Sequence, residues 1–470
     1  MAFDDRTAKD RDIRALFLTA WGILFVCAAL RHAVFRSTAF DLGIFDQALW
    51  QLSHGRGTRV SLVSMNIFSD HGAFILYPLS FLYKFVASPY LLFGVQSLAL
   101  SLGIYTLGAL GRYEGLTRTQ QFLVAGVYIL HPVVFNTNLF DFHPETLGAP
   151  LLPLVFLFAQ QRRYALLACV CITILICKEV LALTVAGVGC VLMLRGARFI
   201  GATILVGALS WFLIVTQIIM PGLPDGADPN AFARYAYLGS SFAEKVVSLF
   251  LRPSVALSHI EPLQVTAYGL ALAAPCFWVF SRSSIVCLVA LAPAFILNAL
   301  STLEFQRSLR FQYSLPLIPL LGVMAIMTLK SGRLPQWFSL RGAFAWSLVV
   351  AAALIVGRNA RSFGTYPVQW LPRGALTPLY EAVALIPAEV SVLASSRILP
   401  HLSHRVGLGL VNGPVRVVKP TQYDYVIVDP TGSTDAHENE LNAWVATALR
   451  GKSEYEIVFE KPEVVVFRRH

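Results

Sequence analysis

Long apolar runs separated by short polar connections make up most of the chain as far as residue 357. Candidate crossings fall at 15–33, 91–111, 121–135, 146–160, 164–177, 180–194, 200–220, 264–280, 283–300, 311–329 and 342–357. A bilayer core takes about 20 apolar residues, so the shorter runs borrow uncharged flanks. The pattern predicts an α-helical polytopic membrane protein of about 11 spans. Residues 31–90 break it. Over 42–53, Leu42, Ile44, Phe45, Ala48, Leu49 and Leu52 share one helical face, and Asp46, Gln47, Gln51 and Ser53 take the other. This reads as an amphipathic helix lying in the membrane interface with its polar face in water. The stretch 72–86 is apolar but carries Pro78, and reads as interfacial or re-entrant rather than as a further span.

Beyond residue 357 the periodicity shortens. Thr377-Pro378 opens a helical stretch to Leu385, with Thr377 as N-cap and proline in the first turn. Strand-like runs follow at 390–394, 425–428, 455–459 and 464–467, with a helix over 435–450. The expected organisation is a membrane domain over 1–357 and a small α/β domain over 358–470.

Composition agrees: 56% of residues are hydrophobic and 14% charged, against about 25% charged in soluble domains. The net charge of +10 invites a nucleic-acid reading. The basic residues, however, sit in short connections between apolar runs and form no dense patch, so no nucleic-acid partner is expected. Arg112, Arg118, Arg162, Arg163, Arg195, Arg198, Arg282, Lys330, Arg333 and Arg341 fall on one side of the membrane, which the positive-inside rule makes cytoplasmic. Asp41, Asp46, Asp70, Asp141, Glu145, Asp225 and Asp228 fall on the other. The expected location is the plasma (inner) membrane, with the amino terminus cytoplasmic, the first apolar run retained as a signal anchor, and the carboxyl-terminal domain extracytoplasmic. All seven cysteines lie in apolar runs, which favours buried small hydrophobes over a disulfide framework or a zinc site.

Ionisable groups at bilayer depth carry the chemical information. Four clusters share the outer side: Asp41 with Asp46, Asp70-His71, Asp141 with His143 and Glu145, and Lys178-Glu179. Each has an ordinary alternative. Asp41 suits an N-cap of the interfacial helix, Asp46 a solvated face, either histidine an interfacial position, and Lys178 with Glu179 mutual neutralisation. Convergence of all four on one side suits a shared site. The spacing of Asp141, His143 and Glu145 also admits a divalent metal, weakly, since proline interrupts a mixed ligand set; otherwise no cofactor is expected. The outer loop 220–262, with Arg234, Tyr235 and Tyr237, reads equally as a lid or as a connector. Arg307 and Arg310, ahead of Gln312-Tyr313, suit either a phosphate or the headgroup level.

The string Phe40-Asp41-Leu42-Gly43-Ile44-Phe45-Asp46-Gln47-Ala48-Leu49-Trp50, followed by Asp70-His71, Phe140-Asp141-Phe142-His143-Pro144-Glu145 and Lys178-Glu179, resembles the domain of unknown function 2079 family of prokaryotic membrane proteins. Ala394-Ser395-Ser396-Arg397-Ile398-Leu399-Pro400-His401-Leu402-Ser403 resembles that family's carboxyl-terminal part. Gln312 departs from the histidine expected before the tyrosine. The family's architecture is similar to the GT-C membrane glycosyltransferases, which commonly place a catalytic aspartate just after span one. Asp41, Gly55 and Asp70-His71 occupy positions comparable to those of lipid A aminoarabinose transferases and protein mannosyltransferases.

What the resemblance implies is transfer of a sugar from a polyprenyl-phosphate donor to an envelope acceptor at the outer face, by a protein whose partners are the bilayer, that donor and that acceptor. Asp41 is the first candidate for the base, with Asp141 and Asp46 next. Asp70, His71, His143, Glu145, Lys178, Glu179, Arg310 and Tyr313 are the candidates for substrate contacts. A transporter or flippase competes, since ionisable groups also mark transport paths, although those lie near the midplane in repeated halves. A non-catalytic envelope assembly protein is the third reading.

Overall fold

The computed structural model describes residues 2–224, 230–332, 334, 339–356, 371–372, 374–411, 422–433 and 435–470. Asp225, Asp228, Arg333 and the expected boundary at 357/358 lie outside them. Among the described residues five helices are long and apolar enough to cross a membrane: Asp12–Ala33, Pro89–Tyr113, Arg198–Gly222, Pro262–Val279 and Gln312–Lys330. A sixth crossing arises if Arg118–Ile129 and Pro132–Leu139 count as one span bent by 44°. The bend has a local cause: Pro132 cannot continue the preceding ladder, and His131 re-caps the new helix through its ring nitrogen. Shorter apolar helices occupy Glu145–Gln160, Tyr164–Cys177, Leu181–Leu194, Ile285–Leu300 and Leu340–Ile355. Helices thus stand at every expected crossing, but their lengths do not settle the count. Leu76–Tyr83 has only 8 residues, about 12 Å of helix and far short of a crossing.

Two sets of contacts distinguish the ends of the helical bundle. At one end Arg118 pairs with Asp12 and Lys330 with Glu114, while Tyr113 donates to the Gln160 carbonyl (3.5 Å). At the other, Gln96 near the start of Pro89–Tyr113 donates to the Asp141 carbonyl (2.7 Å) and accepts from the His143 amide (2.9 Å). Arg118 and Lys330 thus lie at one end of the bundle and Asp141 at the other.

The carboxyl-terminal strands are β1 (Val392–Ala394), β2 (Leu408–Leu410), β3 (Tyr425–Val428), β4 (Tyr455–Lys461) and β5 (Val464–Arg469), in the order β2-β1-β3-β5-β4. The pairs β1/β2 and β1/β3 are parallel; β3/β5 and β4/β5 are antiparallel. Strand side chains alternate between faces, and here both faces of the central strands are covered, which is why β1, β3 and the first four residues of β5 are apolar, while the edge strand β4 carries Glu456, Glu460 and Lys461. Leu393, Val426, Val428, Val465 and Phe467 pack on the helix Ala436–Arg450. Val392, Ala394, Ile427, Val464 and Val466 join a second core with Phe35, Leu42, Phe45 and Leu49 from the region after the first helix. The strand at 408–410, only three residues long, was not foreseen. Thr377 is not the N-cap: it is the first residue of the helix Thr377–Ala384, and Leu376 precedes it without a side-chain cap.

The helix Ile44–Ser53 forms as expected, and Gly55 follows it with φ +66°. Its polar face is not in water. Asp46 and Gln47 are fully buried, because residues 403–408 lie over them. Gln47 Nε2 donates to the Arg405 carbonyl (2.8 Å), and Ser61, on the adjoining loop, binds the backbone of Leu408.

Candidate active site

The first helix ends at Ala33, and a π-type turn, Ala39–Gly43, carries Asp41. Asp141 fixes the start of that turn. Its carboxylate accepts from Arg31 Nη1 (2.5 Å) and from the Thr38 amide (2.9 Å) and hydroxyl (2.8 Å). Asp141 itself has φ +67°, a left-handed conformation that aspartate tolerates better than most residues. The reversal turns the chain from the buried ion pair toward His143.

His143 Nε2 donates to Asp41 Oδ1 at 3.1 Å. The histidine is buried behind the aspartate, while the Asp41 side chain keeps 26% of its surface open. Ring stacking on Phe140 (5.4 Å between centroids) and the Gln96 bond to its amide hold His143 in place. Burial opposes the imidazolium, but the Asp41 carboxylate, with Glu145 adding to it, more than offsets this and raises the histidine above its ordinary value. Asp41 does not cap the following helix.

A cavity of about 380 Å³ opens beside Asp41. Lys178 and Glu145 meet in its wall at 3.2 Å. Glu179 accepts from the Gly72 amide (2.9 Å), so the direct ion-pair partner of Lys178 is Glu145 rather than Glu179. Asp70 and His71 approach to 3.5 Å, with the His71 ring stacked on Phe45. Arg234 lies over the Tyr313 ring at 5.3 Å.

Of the expected site residues, Asp41, Asp70, His71, His143, Glu145, Lys178, Glu179 and Tyr313 line this one cavity. Three do not. Asp46 is fully buried, and both of its oxygens are occupied: Tyr83 (2.5 Å) and His404 (3.1 Å) bind Oδ1, and the Ser403 hydroxyl binds Oδ2. Asp141 is likewise consumed by Arg31 and Thr38. Neither has a free lone pair facing a substrate, which corrects their candidacy as bases. Arg310 stacks on Phe311 outside the cavity lining. With Asp141 turned away, Asp141, His143 and Glu145 do not form a metal set, and among the described residues no group of three His, Cys, Asp or Glu side chains is arranged for a metal ion.

Arg234 and Tyr235 of the outer loop also line the cavity, as does Gln312, together with Asn298 and Gln306, which the sequence had not singled out. Tyr235 and Tyr237 anchor their loop by donating to the carbonyls of Leu297 (3.0 Å) and Leu300 (2.8 Å). The 232–235 stretch is therefore cavity wall and not a remote connector. The one signal for it was a cation beside aromatics in a long outer loop.

A family model described as "Predicted membrane protein (DUF2079)" matches residues 31–466. The fold is similar to the crystal structure of ArnT from Cupriavidus metallidurans bound to undecaprenyl phosphate, with a TM-score of 0.55, 15% identity and 98% of each chain covered. It is also similar to the apo form of that protein, with a TM-score of 0.50, 15% identity, and 96% of this chain and 98% of the other covered. At this identity the likeness is one of fold. No curated protein matches the chain in sequence.

Proposed function

We propose that this chain, which belongs to the DUF2079 family of predicted membrane proteins, is a membrane glycosyltransferase that uses a polyprenyl-phosphate sugar donor at the outer face of the membrane. The observation that carries the reading is the Asp41–His143 pair at the edge of a cavity containing both acids and cations. The fold it shares with ArnT, crystallised with undecaprenyl phosphate, supports the donor class. Eleven spans, a cytoplasmic amino terminus, an outward-facing carboxyl-terminal domain over 358–470 and an inner-membrane location belong to the same proposal.

In this mechanism the acceptor hydroxyl attacks the anomeric carbon and its proton passes to Asp41. The bond from that carbon to the phosphate oxygen breaks, and the electron pair leaves with the polyprenyl phosphate. Lys178 and Arg234 balance the charge that develops on the leaving group. His143 orients the Asp41 carboxylate. Asp70, His71, Glu145, Glu179 and Tyr313 contact the sugar or acceptor.

The test is transfer from undecaprenyl-phosphate-linked hexoses and pentoses in proteoliposomes, comparing wild type with Asp41→Asn. The expected loss is about 10²–10⁴-fold, with an unchanged melting temperature. Full transfer by the variant would remove Asp41 from the chemistry and sink the proposal.

A further inference from the structure

The turn that carries Asp41 is gripped on both flanks by a segment more than 350 residues away in the chain. Before the turn, His401 is sandwiched between His32 (4.1 Å between centroids, 12° between planes) and Phe35 (3.9 Å, 26°). Tyr380 adds a second hold there, donating to the Ala33 carbonyl at 2.7 Å. After the turn, Ser403 and His404 bind Asp46, and the Arg405 carbonyl accepts from Gln47.

At the turn itself the contact is steric. Leu399 is fully buried, and a Cβ on Gly43 would stand 2.7 Å from Leu399 Cδ2. Glycine at 43 is thus what allows the Leu399 side chain to seat against the backbone two residues from Asp41.

We infer that residues 399–405 are the positioning element of the Asp41 turn, with Leu399 and His401 as positioning residues and Gly43 as the seat they require. This rests on the transferase reading for its kinetic consequence, but not for its structural one. The turn has two anchor sets. Asp141, Arg31 and Thr38 fix where it begins, and the 399–405 segment fixes where it lies. Among the described residues the Asp41 side chain bonds to His143 alone, so its placement against a substrate depends on the backbone beneath it. Catalytic geometry is sensitive to displacements of about 1 Å, and loss of Leu399 leaves the turn room to shift on that scale.

The experiment uses the full-length protein in nanodiscs. Leu399→Ala should lower kcat by about tenfold to a hundredfold with little change in KM, and should speed amide hydrogen exchange across residues 38–45. Leu399→Met, which refills the space, should restore both. Gly43→Ala should reproduce the Leu399→Ala defect, and the double variant Gly43→Ala/Leu399→Ala should be no worse than either single change. Unaltered exchange across 38–45 in Leu399→Ala overturns the positioning role. So does a fall in melting temperature with kcat per folded molecule unchanged, which marks a purely structural contact. Full activity in Asp41→Asn would instead remove the transferase reading while leaving the exchange result standing.

Discussion

Arg31 and Asp141 form a buried ion pair, Nη1 to Oδ1 2.5 Å, that ties the end of the first helix to the loop carrying His143. The pair does its work on the backbone. Asp141 also takes the Thr38 amide and hydroxyl, so one carboxylate closes the entry to the Asp41 turn.

Removing that carboxylate breaks the buried ion pair of Arg31 and takes the acceptor from both Thr38 donors. Asp141→Ala should cost about 3–5 kcal/mol. Asp141→Asn should cost less, because asparagine keeps an acceptor for Thr38 and tolerates the left-handed backbone. Thermal unfolding of the two variants in detergent gives the ranking. An alanine variant as stable as wild type contradicts the account.

Lys178 and Glu145 form another buried pair, with side chains 12% and 5% exposed. Lys178→Met strands the glutamate and should lower stability by about 3–5 kcal/mol. Lys178→Met/Glu145→Gln should regain much of that loss while remaining inactive in transfer, which separates the charge balance from the chemistry. Additive costs in the double-mutant cycle would show that the two groups do not interact.

Arg234 brings a guanidinium to the cavity from a loop held by Tyr235, Tyr237 and the Thr302 bonds to its own carbonyl. If it meets the donor phosphate, Arg234→Gln should weaken binding of undecaprenyl phosphate by about ten- to a hundredfold, the range of a charged hydrogen bond. Microscale thermophoresis with the bare lipid measures this directly. Equal affinity in the variant would assign the leaving-group contact to Lys178 alone.

The contact between Asp46 and His404 makes docking of the carboxyl-terminal segment pH-dependent. Burial opposes the Asp46 charge, yet His404, Ser403 and Tyr83 together depress its pKa below the ordinary 3.8. Burial also opposes the His404 charge, but Asp46 raises its pKa above the ordinary 6.5, with Arg405 acting against it. A raised histidine stabilises fully below the unfolded value of about 6.5 and loses that contribution as pH climbs through the raised value. A depressed aspartate stabilises above its unfolded value of about 3.9 and loses it as pH falls through the depressed one. Docking should therefore be tightest from about pH 4 to 6.5. Amide protection over residues 399–410, taken relative to the intrinsic exchange rate at each pH, should fall on the alkaline side in wild type and lose that fall in His404→Gln. A flat profile in wild type would rule out the coupling.

Much of this architecture was legible in the sequence because membranes enforce simple rules. Apolar runs locate helices, and ionisable residues near bilayer depth persist only when paired or used. That logic brought Asp41, His71, His143 and Lys178 to one cavity before any coordinates. It could not separate Asp41 from Asp46, which stand five residues apart on one motif. A helical wheel tells which face is polar and is silent on what covers it, and here the cover is Ser403 and His404. Asp141 was misread for a related reason: its partner Arg31 lies 110 positions away, and nothing local announces a left-handed aspartate. The 408–410 strand escaped because three residues with a central glycine carry no periodicity.

The Ser403–Asp46 contact spans 357 positions, and this bears on how the molecule is made. At roughly 5–20 residues per second, synthesis from one partner to the other takes roughly 20 to 70 s. Throughout that interval Asp46 and Gln47 have emerged from the ribosome without the groups that later enclose them. Assembly of the Asp41 turn is consequently a late event in biogenesis, completed only after the last crossing has been inserted and the final segment delivered.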